Sequence, residues 1–239
     1  MKLLDLTLDS PAENLALDEA LLEQAEAGQS GGDVLRLWES PQTAVILGRS
    51  SRIHDEVDAA RCEQDQIPVL RRCSGGTSVV IGPGCLMYAV VLSYERNPAL
   101  RMVDVAHKYV LGNIADAVQR FLPSAAHRGT SDLALGDRKF SGNSLRCKRD
   151  HLLYHGTLLC NFQLGLMSRY LKSPPRQPEY REQREHREFV TNIGLDCREL
   201  RAALTEQWQA NAALNAWPES LTAELVEQRY RQATWHYRL

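Results

Sequence analysis

The chain has 239 residues, 44% of them hydrophobic and 24% charged, enough to bury one large core and too apolar for disorder to dominate. A formal net charge of −2 and a pI near 6.4 exclude the electrostatic footprint of a nucleic-acid or anionic-membrane binder. No run approaches the roughly 20 apolar residues of a spanning helix, and acids interrupt MKLLDLTLDSPAEN where a signal peptide would be apolar, so a cytoplasmic protein is expected.

Residues 11–28, PAENLALDEALLEQAEAG, set Leu15, Leu17, Ala20, Leu21 and Leu22 near helical spacing, with Pro11 at the start and Gly28 at the end. After the GQSGGD loop, VLRLWES alternates as a half-buried strand should, and TAVILG is apolar enough for a strand buried on both faces. EVDAARCEQDQ reads as a short helix and IPVLRRCSGG as a strand running into a glycine loop. TSVVIGPGCLMYAVVLSY gives two strands hinged at Gly82-Pro83-Gly84.

A second long helix covers about 102–122, where Val103, Val110, Leu111, Ile114 and Val118 share a face, and Pro123 stops it. SDLALGDRKFSGNSLRC predicts a strand, a turn over Leu135–Arg138 and a second strand carrying Lys139; HLLYHGTLLCNF predicts another. SPPRQPEYREQREHRE is nearly without apolar residues, so 173–192 is predicted to be exposed and mobile. The tail from about 197 is helical. With neither a repeat nor a linker, the chain reads as a single domain over 1–239. Strand pairs without regular strand–helix alternation predict an α+β fold with a central mixed, largely antiparallel sheet flanked by helices.

Three segments carry candidate chemistry. RRCSGG joins two arginines, which match carboxylates or phosphates bidentately, to glycines that let the main chain approach a ligand; its partner should be an anionic small molecule. It is neither a Walker motif nor a dinucleotide fingerprint. GDRKFSGNS places Lys139 at a strand start as a point charge. In YHGTLLCNF, His155 opens an apolar strand, where a histidine is more often structural than functional. The six cysteines (Cys62, Cys73, Cys85, Cys147, Cys160, Cys197) stand singly without CxxC pairs and read as reduced, mostly buried thiols, so no metal site is expected.

Together and in this order, RRCSGG, SDLALGDRKFSGNS and HGTLLCN, preceded by ENLALDEALL and LRLWESPQTAVILGRS, resemble the lipoate-protein ligase family, which belongs with biotin-protein ligases and octanoyltransferases. The likeness runs from about residue 11 to Asn161 and returns near LVEQRYRQATWHYR. It implies a tunnel for an apolar acyl chain, with lipoate activated by ATP and Mg2+ as lipoyl-AMP. The acyl group would then pass to a lysine of a lipoyl carrier domain, such as that of a 2-oxoacid dehydrogenase E2 or the glycine cleavage H protein. By that resemblance Lys139 is catalytic, beside the acyl carbonyl and the α-phosphate. Arg72 meets ATP phosphate, Gly75, Gly76, Thr77, Ser78, Val79 and Val80 hold the nucleotide, and Asp132 and His155 complete the site.

Three departures bear on ATP: the family's third glycine is Thr77, its following histidine is Ile81, and its NDL asparagine is Ser131. The chain ends without the accessory domain of many family ligases, which implies a separate accessory subunit, unaided activation, or transfer alone. The alternative activity is octanoyl or lipoyl transfer from an acyl carrier protein or preformed adenylate. It needs a thiolate nucleophile, and neither RGTSDL nor LKSPPRQP, where transferases of the superfamily place it, contains cysteine. The arginines of 173–192 suggest an arm that closes over the adenylate or steers an acidic carrier domain.

Overall fold

The computed structural model describes residues 1–174 and 176–239; Pro175, inside the segment predicted to be mobile, lies outside the described residues. The strands are β1 (Lys2–Asp5), β2 (Val34–Glu39), β3 (Ala44–Leu47), β4 (Val69–Arg71), β5 (Val79–Ile81), β6 (Cys85–Ser93), β7 (Ala125–Arg128), β8 (Asp132–Leu135), β9 (Arg138–Cys147), β10 (His151–Leu159) and β11 (Ala212–Ala213). Eight form one sheet in the order β11-β1-β2-β6-β10-β9-β8-β7, and three form a second in the order β4-β3-β5. Pairing is parallel for β11–β1, β1–β2 and β3–β4 and antiparallel elsewhere. The architecture is the predicted α+β fold with a mixed, mostly antiparallel sheet. The strands around Gly82–Gly84 belong to different sheets, so that hinge is a crossing point and not a hairpin.

The helices are α1 (Pro11–Glu26), α2 (Ile53–Glu56), α3 (Ala59–Gln64), α4 (Val103–Gln119), α5 (Gly165–Tyr170), α6 (His186–Phe189), α7 (Cys197–Gln207), α8 (Glu219–Leu225) and α9 (Ala233–His236). None is long and apolar enough to cross a membrane. Helix α1 starts where a reciprocal cap satisfies two free N–H groups: Ser10 Oγ accepts from Glu13 N, and Glu13 Oε2 accepts from Ser10 N. Its Leu17, Leu21, Leu22 and Ala25 pack on Ala89, Val91 and Leu153 of the large sheet. On the opposite face, Val110, Ile114 and Val118 of α4 and Leu200 and Leu204 of α7 enclose Leu35 and Leu37.

Strand β2 therefore departs from its half-buried reading, because helices cover both of its faces and Val34 through Trp38 are all buried. The polar position that produced the alternation, Arg36, points inward to α1. Its guanidinium donates to Asp18 Oδ1 at 2.5 Å, Asn14 Oδ1 at 2.6 Å and the carbonyls of Asn14 and Leu6, so the buried charge is paired and hydrogen-bonded.

The described residues of 173–192 are exposed or half-buried, as expected, but for three of them, Arg181, Phe189 and Val190, which are buried. The segment forms a 3-10 turn at Glu179–Arg181 and helix α6, and it lies along the β8–β9 hairpin. Thr191 N donates to Lys139 O at 2.8 Å, Arg138 Nη2 to Val190 O at 2.8 Å, and Arg184 Nη1 to Asp137 Oδ2 at 2.8 Å. Its polar composition concealed this docking, because arginine stems and guanidinium groups can cover a surface while bonding carbonyls and carboxylates. Arg176 and Arg187 remain exposed, as the steering reading requires, whereas Arg181 and Arg184 are turned inward.

Candidate active site

The two arginines of RRCSGG face into the protein. Arg71 is fully buried and donates to the carbonyls of Gly48, Ser51, Trp235 and His236, which ties β4 to the C-terminal residues. Arg72 donates to the carbonyls of Ile46, Gly75 and Thr77 and to Ser74 Oγ, and burial pulls its pKa down to about 10. Both guanidinium groups shape the loop, and Arg72 also lines a cavity. Close approach explains Gly48: a Cβ there would lie 1.8 Å from Gly76 O.

His155 follows the structural expectation at first sight, since both ring nitrogens are engaged. Nε2 lies 2.5 Å from Ser74 Oγ and Nδ1 3.3 Å from Asp18 Oδ2. As a carboxylate, Asp18 accepts from Nδ1–H, and Ser74 Oγ, which accepts from Arg72 Nε, closes the contact at Nε2. Burial pushes the Asp18 carboxyl up, but Arg36 and His155 together outweigh it and hold the group below the usual carboxylate range. The result is a buried relay that fixes the glycine loop against α1 and β2.

Lys139 owes its direction to a β-bulge. The β8–β9 ladder pairs Leu133 with Ser141 and Ala134 with Lys139, so Phe140 is the extra residue, and it is fully buried in the core. Without that extra residue Lys139 would oppose Leu135; with it, Lys139 opposes Ala134 and shares the face of Asp132, two residues earlier. Lys139 Nζ lies 2.6 Å from Asp132 Oδ1, and the other carboxylate oxygen accepts from Tyr180 OH at 2.8 Å. Burial, and next the Asp132 charge, push the Tyr180 hydroxyl far above its ordinary pKa, which keeps it a donor.

Two cavities meet at Lys139. The larger, about 480 Å³, is lined by Leu15, Ile46, Val79 and Met87 on its apolar side and by Arg72, Asp132 and His155 among its polar groups. The smaller, about 90 Å³, lies beside Thr77–Val80 and carries Glu56, Lys172, Arg181 and His186. Thr77, Val79, Lys139, Gly142 and Thr157 border both. Of the predicted residues, Arg72, Gly76, Thr77, Ser78, Val79, Val80, Asp132, Lys139 and His155 thus line one cavity or the other, while Gly75 lines neither and serves the loop through its carbonyl.

Residues 10–209 match the family described as the lipoyl protein ligase A/B catalytic domain. The chain belongs to that family. A lipoate-protein ligase A of Bdellovibrio bacteriovorus is 26% identical over 247 residues, covering 95% of this chain and 68% of the relative. A bipartite lipoate protein ligase of Thermoplasma acidophilum, from an archaeal lipoylation system solved with its E2 lipoyl domain, superposes with a TM-score of 0.82 at 23% identity, over 99% of this chain and 95% of that one. A lipoate-protein ligase A bound with ATP gives 0.80 at 24% identity, over 99% and 98%. These superpositions establish the ligase A/B fold.

Sequence reasoning about this catalytic domain missed Glu56, Asp18 and Tyr180. Glu56 Oε2 accepts from both Ser78 N at 2.6 Å and Ser78 Oγ at 2.7 Å, a contact spanning 22 residues that no local pattern announces. Asp18 stood inside a helical run where an acid reads as solvated. Tyr180 stands as the lone aromatic of SPPRQPEYREQREHRE, and its isolation among charges was the available signal. Among the described residues no cysteine lines either cavity. Burial pushes Cys62 up to about 11 and raises Cys73 and Cys85 far above the ordinary thiol value, so these are unreactive packed groups.

Proposed function

We propose that this chain is a lipoate-protein ligase: it joins lipoate to ATP as lipoyl-AMP and passes the acyl group to a lysine of a lipoyl carrier domain. The observation that carries the reading is the position of Lys139 at the meeting point of an acyl-sized cavity and one beside the Thr77–Val80 backbone. A volume of about 480 Å³ suits a small-molecule site, and Leu15, Ile46, Val79 and Met87 offer an apolar wall to an alkyl chain. In both half-reactions negative charge grows on oxygen at the acyl carbonyl and α-phosphate, where a fixed ammonium stabilises it. Asp132 holds that ammonium in readiness and yields it to the incoming anion.

The ATP-bound relative supports nucleotide use. In this reading Arg72 acts by holding the loop and Thr77–Val80 receive the nucleotide. Mg2+ would come with the ATP phosphates, for which one or two protein carboxylates suffice; Asp132 and Glu56 line the cavities. The transferase reading needs a thiolate at the acyl group, and the cavity linings argue against it. The bipartite relative and its E2 lipoyl domain support a lipoyl carrier as partner and make an accessory subunit the natural addition if the chain alone is silent.

The test is mass spectrometry of an apo lipoyl domain incubated with the protein, lipoate, ATP and Mg2+, beside octanoyl-carrier protein without ATP. One lipoyl group added only with ATP, and lost in Lys139→Ala, is the expected result. Octanoyl transfer without ATP overturns the ligase reading.

A further inference from the structure

The smaller cavity gathers four basic side chains from three places: Lys139 from β9, Lys172 from the stretch after α5, and Arg181 and His186 from the docked arm. Its carboxylate, Glu56 from α2, is already held by the backbone and hydroxyl of Ser78. Lys139 is neutralised by Asp132 from β8, and Arg184, beside Arg181, is occupied by Asp137. The His186 ring lines the cavity and has no hydrogen-bond partner among the described residues. A neutral imidazole aimed into a basic cavity without a partner is a group waiting for an anion.

We propose that His186 is a phosphate ligand of the nucleotide site and that it takes up a proton when the nucleotide binds. The inference rests on the ATP reading above and adds a residue that the sequence motifs did not assign. Burial first, then Arg181 and Lys139, bring the His186 pKa down to about 4, so these surroundings hold it neutral near pH 7. Phosphate oxygens within reach reverse the sign of the surrounding charge and favour the imidazolium. A phosphate fits better than the acid's carboxylate, because the apolar wall that an acyl chain needs belongs to the larger cavity and the smaller one adjoins Thr77–Val80.

Calorimetry of MgATP binding at pH 6, in two buffers of different ionisation enthalpy, counts the protons. If binding only restores an ordinary imidazole value of about 6.5, His186 gains about three quarters of a proton per nucleotide. His186→Gln should lose that increment, while the nucleotide's own phosphate protons are common to both proteins and cancel. In parallel, the His186 ring resonances are followed by NMR with pyrophosphate and with octanoate.

Equal proton uptake in the two proteins overturns the inference and leaves the ligase reading standing. Absence of ATP binding, with pyrophosphate still protonating His186, sinks the ligase reading and upholds the phosphate site. Protonation by octanoate in place of pyrophosphate, or by neither, overturns it.

Discussion

The glycine loop at 71–77 and the arm at 176–192 are two arginine-bearing walls of one site, and they differ in what stands behind them. Behind the loop are the protein's C-terminal residues: Arg71 reaches the carbonyls of Trp235 and His236, and Trp235 Nε1 donates back to Arg71 O at 2.8 Å. Behind the arm are the β8–β9 hairpin, through Arg184 to Asp137, Tyr180 to Asp132 and Thr191 to Lys139, and, at the arm's far end, Phe162, paired with Asn192, and Met167 and Tyr170 of α5, clustered with Phe189. In both walls guanidinium groups bond mainly to carbonyls and so build shape. The difference is depth. Loop contacts run through the fully buried Arg71, whereas the arm is anchored in the core only toward its Phe189–Val190 end, and its Glu179–Arg184 turn is held by contacts that can open without unfolding the molecule.

The largest effect should come from the deepest arginine. Arg71→Ala strips donors from several buried carbonyls at about 1–3 kcal/mol each when left unmet, so a loss on the order of 3 kcal/mol or more is expected in urea unfolding. Arg71→Lys should recover little, because a point charge cannot span the fork of carbonyls. A loss under about 1 kcal/mol would mean that the loop is no more deeply fixed than the arm.

Lys139→Ala should act on rate instead. Removing one charge-stabilising contact costs about 2.7–4 kcal/mol of barrier, a fall of about 10² to 10³ in turnover, with a far smaller change in the urea midpoint. Equal loss of stability and activity would make Lys139 a structural partner of Asp132, not the hinge between the cavities.

How far this contrast could be read in advance depended on where each contact sits in the sequence. Helices α1 and α4, the β8–β9 hairpin and the buried strand β3 were legible because their signals are local: a cap, a 3.6-residue apolar period, a Gly136-Asp137 turn. Strands β1, β7 and β11 went unread because they are short, carry charged or small residues, and exist only through pairing. The site was half legible. Lys139, Asp132 and Thr77–Val80 were placed in it by motif, but that RRCSGG turns both arginines inward is decided by carbonyls at Gly48 and His236, far away in the chain. The arm misled because composition reports solvation, while docking depends on what the hairpin offers.

Tyr180→Phe sharpens the arm's side of the comparison with a smaller effect. The ring keeps its packing on Phe189 and only the hydrogen bond to a charged acceptor goes, worth about 1.5–3 kcal/mol when buried. Amide exchange should quicken across 176–189 with the global urea midpoint little changed. Exchange that quickens equally in α1 would show that the arm shares the core's cooperativity.

The smallest effect is a slope. His236 is buried behind the loop, with Nδ1 accepting from Arg71 N at 2.9 Å and Nε2 3.0 Å from Tyr230 O. Burial chiefly, with Arg71 adding to it against the Tyr230 contact, lowers its pKa from 6.5. A depressed histidine binds fewer protons folded than unfolded. Its contribution is therefore complete above about pH 6.5, falls as pH drops toward the folded value, and is level below that, at no more than about 1.4 kcal/mol per pH unit. His107 and His186 are lowered as well and slope the same way. In His236→Asn an amide oxygen can still accept from Arg71 N, so urea midpoints measured from pH 7 to 5 should fall less steeply than in the parent chain. An unchanged slope would mean that the neutral imidazole is not what ties the loop to the C-terminal residues, and the depth assigned to that wall would rest on Arg71 alone.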